Sequence, residues 1–202
     1  TEDLKIPNLG ESSTSLFSAD YEYQLGRMWL RSFRGQAPLL NDPLMHSYLE
    51  NLVFELVQHS ELQDRRIELV IVDNPTINAF AVPGGVIGVH SGLFQYAETE
   101  DEFATVMAHE IAHLELIVSN RDAAYTDLLQ LYDEDVRSEG FADIIAVVSI
   151  IRAGMATRQE VCAHVSQIWC AAMPLAFENT GVHPAPNERG DLLCATLERL
   201  GV

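Results

Sequence analysis

The stretch His109-Glu110-Ile111-Ala112-His113 constrains this chain more than any other, because it sets two imidazoles four positions apart. On an α-helix that spacing returns to nearly the same face, so both rings can reach one metal ion. Glu110 sits beside that face, where a carboxylate can take a proton from water at the metal. Two histidines do not complete a catalytic zinc site, which ordinarily takes three protein ligands and keeps one position open. A fold that uses the motif must therefore bring a second element, with a further ligand, against the first helix.

The surrounding pattern predicts such elements. Tyr21, Leu25, Met28, Trp29 and Phe33 recur at helical spacing and predict a helix from about Ala19 to Phe33. Asp42 followed by Pro43 predicts the start of a second, which carries Leu44, Tyr48, Leu52, Phe54 and Leu56 to about His59. The aromatic stripes of both read as core. The period then changes to that of strands: 67–72, 79–82 and 86–90, with Pro83-Gly84-Gly85 as an antiparallel turn between the last two. Thr99 with Glu102 forms a capping box ahead of the motif helix, which turns Phe103, Val106, Met107, Ile111 and Leu114 inward. Further helices are expected from Glu134 to Arg152, stopping near Gly154, from Thr157 to Met173, and from Asn187 to Leu200. The plan is α+β, mainly helical, with a small sheet beside the motif helix. Residues 1–16 read as an N-terminal arm and 17–202 as a single domain.

Charge narrows the partners. The formal net charge of −18 argues against sequence-independent binding of nucleic acid and against docking on anionic lipid. It suits a solvated surface, or basic and unfolded polypeptides. No apolar run approaches the length of a membrane span, and no positively charged leader precedes one, so any export signal is expected to have been removed. Cys162 and Cys170 stand eight apart in an expected helix, about 12 Å along its axis and too far to bridge. Either can pair with Cys194, and buried inert thiols are the plainer reading.

Glu139, in the helix expected from Glu134, is the best candidate for the third ligand. Asp143 lies one turn later on the same face, where it can accept a hydrogen bond from a ligating histidine and fix its tautomer. Glu134 and Asp135 read as solvated carboxylates, and spacing alone favours Glu139 only modestly. His90, at the end of a strand, is the one other histidine that can approach the cleft. No Ser or Cys nucleophile constellation is visible.

Three segments occur in a familiar order: Ile77-Asn78-Ala79-Phe80-Ala81-Val82-Pro83-Gly84-Gly85, the motif at 109–113, and Glu139-Gly140-Phe141-Ala142-Asp143. Together they resemble the zinc endopeptidase family of the CAAX prenyl proteases and HtpX, most nearly its soluble periplasmic members of the beta-barrel assembly-enhancing type. The resemblance implies a zincin-like fold with one zinc ion held by His109, His113 and Glu139, Glu110 as general base and Asp143 as the partner behind a ligand. It implies that Asn78, Ala79 and Phe80 form the edge strand on which an extended or unfolded polypeptide lies, which agrees with the physics of exposed strand edges. It also implies a role for His183, which precedes Pro184, and for Arg189: donors to the oxyanion, or, for His183, a plug on the open metal position. A loop residue without a role is the third reading.

The sequence departs from that family in two ways. The connection 114–138 is short and acidic where relatives carry a longer, partly hydrophobic insertion, which puts membrane docking there in doubt. No repeat of tetratricopeptide period follows. The expected function is zinc-dependent hydrolysis of internal peptide bonds, in a periplasmic or otherwise exported setting of protein quality control, with self-inhibition by the His183 loop and a regulatory protein partner. Its rivals are a latent or chaperone-like binding module with a plugged zinc, and a structural zinc protein with a closed four-ligand site.

Overall fold

The computed structural model describes residues 19–60, 62–119, 137–157 and 159–160. The arm at 1–16, the helices expected beyond Glu160 and all three cysteines lie outside the described residues. Within them the chain runs α1 (Ala19–Arg34), α2 (Pro43–Gln58), β1 (Glu68–Val72), β2 (Ala79–Val82), β3 (Val86–His90), α3 (Ser91–Tyr96), α4 (Glu100–Ser119) and α5 (Arg137–Ala153). This is an α+β arrangement, mostly helical with one small sheet, as the periodicities predict.

Local chemistry sets most element ends. Asp42 accepts from the backbone N–H groups of Leu44 and Met45, capping α2. At α4, Glu102 N–H donates to Thr99 Oγ1 over 3.4 Å, but the Glu102 carboxylate returns to Glu98 N–H at 2.7 Å, one residue before the expected partner. Gly154, at φ +70°, ends α5. Gly154 N–H donates to Ile151 C=O and Met155 N–H to Ile150 C=O, the paired bonds of a left-handed helix stop. The expected box at Thr157 and Glu160 closes through 2.7 Å and 3.4 Å bonds. The connection read from the sequence as 114–138 is shorter still, since α4 continues to Ser119 and α5 begins at Arg137.

The sheet order is β1-β3-β2, with β1 parallel to β3 and β2 antiparallel to it. The tight turn after β2 produces the antiparallel pair, and β1 reaches β3 only by sending β2 to the outside. Alternation divides the sheet into two faces. Leu69, Ile71, Ala79, Ala81, Ile87 and Val89 meet α2, α4 and α5 in the main core, while Val70, Val82 and Val86 meet Leu30, Trp29 and Phe33 of α1. The result is three layers: α1, the sheet, and the helices α2, α4 and α5.

The apolar stripes are narrower than the sequence suggests. In α2 the buried set is Leu49, Leu52, Val53, Leu56 and Val57, at i, i+3, i+4, i+7 and i+8. Phe54 and Leu44 fall off that stripe and are 65 % and 82 % exposed. In α1 only Gly26 and Leu30 are fully buried, and Tyr21, Leu25 and Met28 face solvent. The short helix α3, packed under β3, has no signal in the sequence pattern.

α1 is fastened to the turn after β2 at very short range. A Cβ on Gly26 would lie 2.8 Å from the carbonyl oxygens of Pro83 and Gly84. Gly84 itself stands at φ +87°, and a Cβ there would meet the Glu22 carbonyl oxygen at 2.2 Å. Arg27 donates to Gly84 C=O and pairs with Glu68 at 2.7 Å, and Tyr23 lies between the guanidinium groups of Arg27 and Arg66. Burial lowers the Arg27 pKa, without threatening its charge. Gly84→Ala is expected to cost about 2 kcal/mol or more, from the left-handed backbone and the clash together. Urea denaturation monitored by circular dichroism measures it.

Candidate metal centre

The motif lies at the centre of α4, where the helix is buried on several sides. His109 is wholly buried and Glu110 nearly so, while His113 keeps partial exposure. Neighbouring side chains explain the depth. Ala104, Ala108 and Ala112 repeat every four residues as small buried groups, and Ala112 packs against Ile145 of α5. Ala79 and Ala81 present equally small side chains to the same core from β2. Small residues on α4 and β2 let the motif helix approach both the edge strand and α5.

α5 brings Asp143 to the motif. Its Oδ1 lies 2.9 Å from His109 Nδ1, and the carboxylate is 3 % exposed. A carboxylate only accepts, so this contact favours the tautomer with the proton on Nδ1 and leaves Nε2 with a lone pair. That Nε2 lies 2.9 Å from His113 Nε2, with the rings perpendicular and their centroids 4.5 Å apart. Two lone pairs at that distance repel, so a proton or a cation has to lie between them. In a tetrahedral site with Zn–N bonds of about 2.0–2.1 Å, two nitrogens stand about 3.3 Å apart, within a small side-chain adjustment of the separation here. The donor chemistry therefore fits zinc.

Glu139 stands in the first turn of α5, four residues before Asp143. His183 and Arg189 lie outside the described residues. His90 is on the other face of the sheet from α4: its Nδ1 is 2.6 Å from Thr76 Oγ1, and its ring meets the edge of Phe80. Burial lowers its pKa, so the neutral ring is favoured. It serves the loop before β2 and does not line the metal centre.

The hydrogen-bond ladder sharpens the edge strand. His90 N–H donates to Asn78 C=O at 2.9 Å, in the register that pairs Ala79 with Val89 and Phe80 with Gly88. In an antiparallel pair such bonds alternate. Asn78, Phe80 and Val82 therefore turn their backbone groups inward to β3, and Ala79 and Ala81 turn theirs outward. Among the described residues no strand pairs with that outer edge. Ala81 is the position that sequence reasoning missed. The turn at 83–85 was the available signal, since a hairpin's register fixes which residues face out.

The profile of peptidase family M48 matches residues 43–176. The beta-barrel assembly-enhancing protease of Escherichia coli (strain K12) is 41 % identical over 109 residues, 54 % of this chain and 22 % of that protein. Its namesake in Yersinia pestis is 39 % identical over 113 residues, 56 % of this chain and 23 % of that protein. The mitochondrial metalloendopeptidase OMA1 of Schizosaccharomyces pombe is 36 % identical over 66 residues, 33 % of this chain and 20 % of that protein. The matched part thus spans less than a quarter of the length of these curated relatives. Matched over more than half its own length, with the motif helix and α5 both inside the match, the chain belongs to peptidase family M48.

Proposed function

We propose that this chain is a zinc metalloendopeptidase that cleaves internal bonds of extended polypeptides. The observation that carries the reading is the convergence of His109 and His113 at 2.9 Å with Asp143 fixing the far side of one ring. His109, His113 and Glu139 would hold the metal. Zinc there supplies Lewis acidity and lowers the pKa of water to about 7, giving a nucleophile at neutral pH. Glu110 receives the proton that the attacking water loses and returns it to the leaving amine. Its burial beside the paired imidazoles supports that role, because few other groups share so dry a position. A structural zinc site has no need of this carboxylate.

The substrate adds to β2 as a further strand, bonded to the outward N–H and C=O of Ala79 and Ala81. Asn78 and Phe80 support that edge through their bonds to β3. The bacterial relatives are named for enhancing beta-barrel assembly. On that name the proposal extends to envelope polypeptides, in an exported setting and under a regulatory partner, with His183 guarding the metal.

Glu110→Gln is expected to retain zinc, measured by metal analysis, and to lose about 10²- to 10⁴-fold in cleavage of an unfolded polypeptide. Full activity in that variant would overturn the mechanism. Asp143→Asn is expected to weaken zinc binding about 10- to 100-fold in a chelator competition. Ala81→Pro removes only an outward N–H, so it should raise KM roughly three- to tenfold with little change in thermal stability. Phe80→Pro breaks the ladder and should lower Tm instead. Equal effects of the two proline variants on KM and Tm would discount the edge assignment.

A further inference from the structure

The face of the sheet turned away from α4 carries an aromatic cluster over β2 and β3. Trp29 and Phe33 of α1 stack with ring centroids 4.7 Å apart, and both meet Phe80 edge-on at 6.0 Å and 5.7 Å. Phe80 is drawn inward across β3 because residue 88 is glycine: a Cβ there would lie 2.0 Å from Phe80 Cζ. The ring therefore lies low against the sheet over β3, and Trp29 and Phe33 pack on it from α1. Trp29, Phe33 and Phe80 are all only half-buried.

The orientation of α1 turns this cluster toward β2. Arg27 and Arg34 reach Glu68 on β1, so they mark the β1 flank of the helix. At 100° per residue, Trp29 and Leu25 fall on the opposite flank, toward β2. Leu25, one turn before Trp29 on that flank and 40 % exposed, extends the apolar surface outward. Trp29, Phe33, Phe80 and Leu25 together make a shelf on the β2 side of α1.

A strand paired with β2 has to divide its side chains between the two faces of the sheet. Residues opposite Ala79 and Ala81 project toward α4 and the metal centre, and the residue opposite Phe80 projects over the shelf, since directly paired residues share a face. We propose that Trp29, Phe80 and Leu25 form a specificity subsite. It selects a large apolar side chain at the alternate position of the bound polypeptide, on the face away from the reacting bond. The net charge of −18 disfavours acidic peptides, so the preferred occupant is an extended chain that is neutral or basic and apolar at every second residue. The inference rests on the edge-strand reading above and deepens it.

The test uses the full chain carrying Glu110→Gln, so that peptides bind without being cut. Two fluorescent ten-residue peptides of equal positive charge are compared by anisotropy, one with Leu or Phe at alternate positions and one with Ser there. The apolar-alternating peptide is expected to bind about tenfold tighter. Trp29→Ala should reduce that preference to about twofold or less. Leu25→Ser, at an exposed position that does not threaten folding, should reduce it by a smaller factor. Phe54→Ser, equally exposed but on α2, should leave it intact. An undiminished preference in both Trp29→Ala and Leu25→Ser overturns the subsite. So does a concentration-dependent mass in sedimentation that these variants abolish while the preference stays, since the shelf would then be a contact between copies. Failure of the edge-strand reading is distinguishable: there Ala81→Pro, added to the same background, leaves the binding of both peptides unchanged.

Discussion

A buried imidazole and a buried carboxylate face each other across α4 and α5, and the rest of the site depends on that contact. Removing His109 and Asp143 from water costs several kcal/mol for each charged form, which their mutual contact helps to offset. A shift of the two helices by a turn would break that contact. The contact also decides which ring nitrogen of His109 is available. With Nδ1 against the carboxylate, Nε2 is left for the space shared with His113. Tertiary packing thus favours a tautomer that the motif alone leaves open.

The order of strands supplies the second constraint. Because β1 and β3 are parallel neighbours, the chain has to carry β2 past them to the rim before turning back. The loop that does so is tied down by polar bonds. Asn74 Oδ1 accepts from Thr76, Ser91 Oγ donates to Asn74 C=O, and Thr76 Oγ1 meets the His90 ring. The opposite rim of the sheet is covered differently, by Leu40 N–H on Ile71 and Asp73 N–H on Pro38. One edge is closed by the chain's own backbone, and the other leaves Ala79 and Ala81 turned outward beside the motif helix.

Much of this was legible in the sequence, for local reasons. Asp42-Pro43, Thr157-Glu160 and Gly154 act through bonds to their near neighbours, so their positions fix α2, the turn after α5 and the stop of α5. The strands at 79–82 and 86–90 follow from one tight turn. The inward residues of α4, from Phe103 to Leu114, follow from a period of 3.6. The centre's chemistry was legible because a helix turns i and i+4 to one side. What the sequence concealed depends on contacts between distant elements: the parallel pairing of β1 with β3, the short α3, the outward turn of Ala81 and the placement of His90 on the far face. None of these is encoded within one periodic segment.

The apolar residues misassigned to the core make the same point from the other side. Leu25, Met28, Leu44 and Phe54 have the hydrophobicity of buried residues, but a helix packed on one layer can bury only a stripe about 100° wide. Isolated exposed apolar residues are ordinary on protein surfaces, and Leu44 and Phe54 fall in that class. Met28, turned away from the sheet, joins them, whereas Leu25 differs in its surroundings. It lies one turn before Trp29, next to a stacked aromatic cluster on the strand whose outer backbone groups turn outward. Apolar surface alone has no preferred partner geometry. Apolar surface beside a β-edge that no described strand pairs does, because the edge imposes an extended backbone and a period of two on whatever binds. The shelf and the metal centre would then read opposite sides of one polypeptide strand.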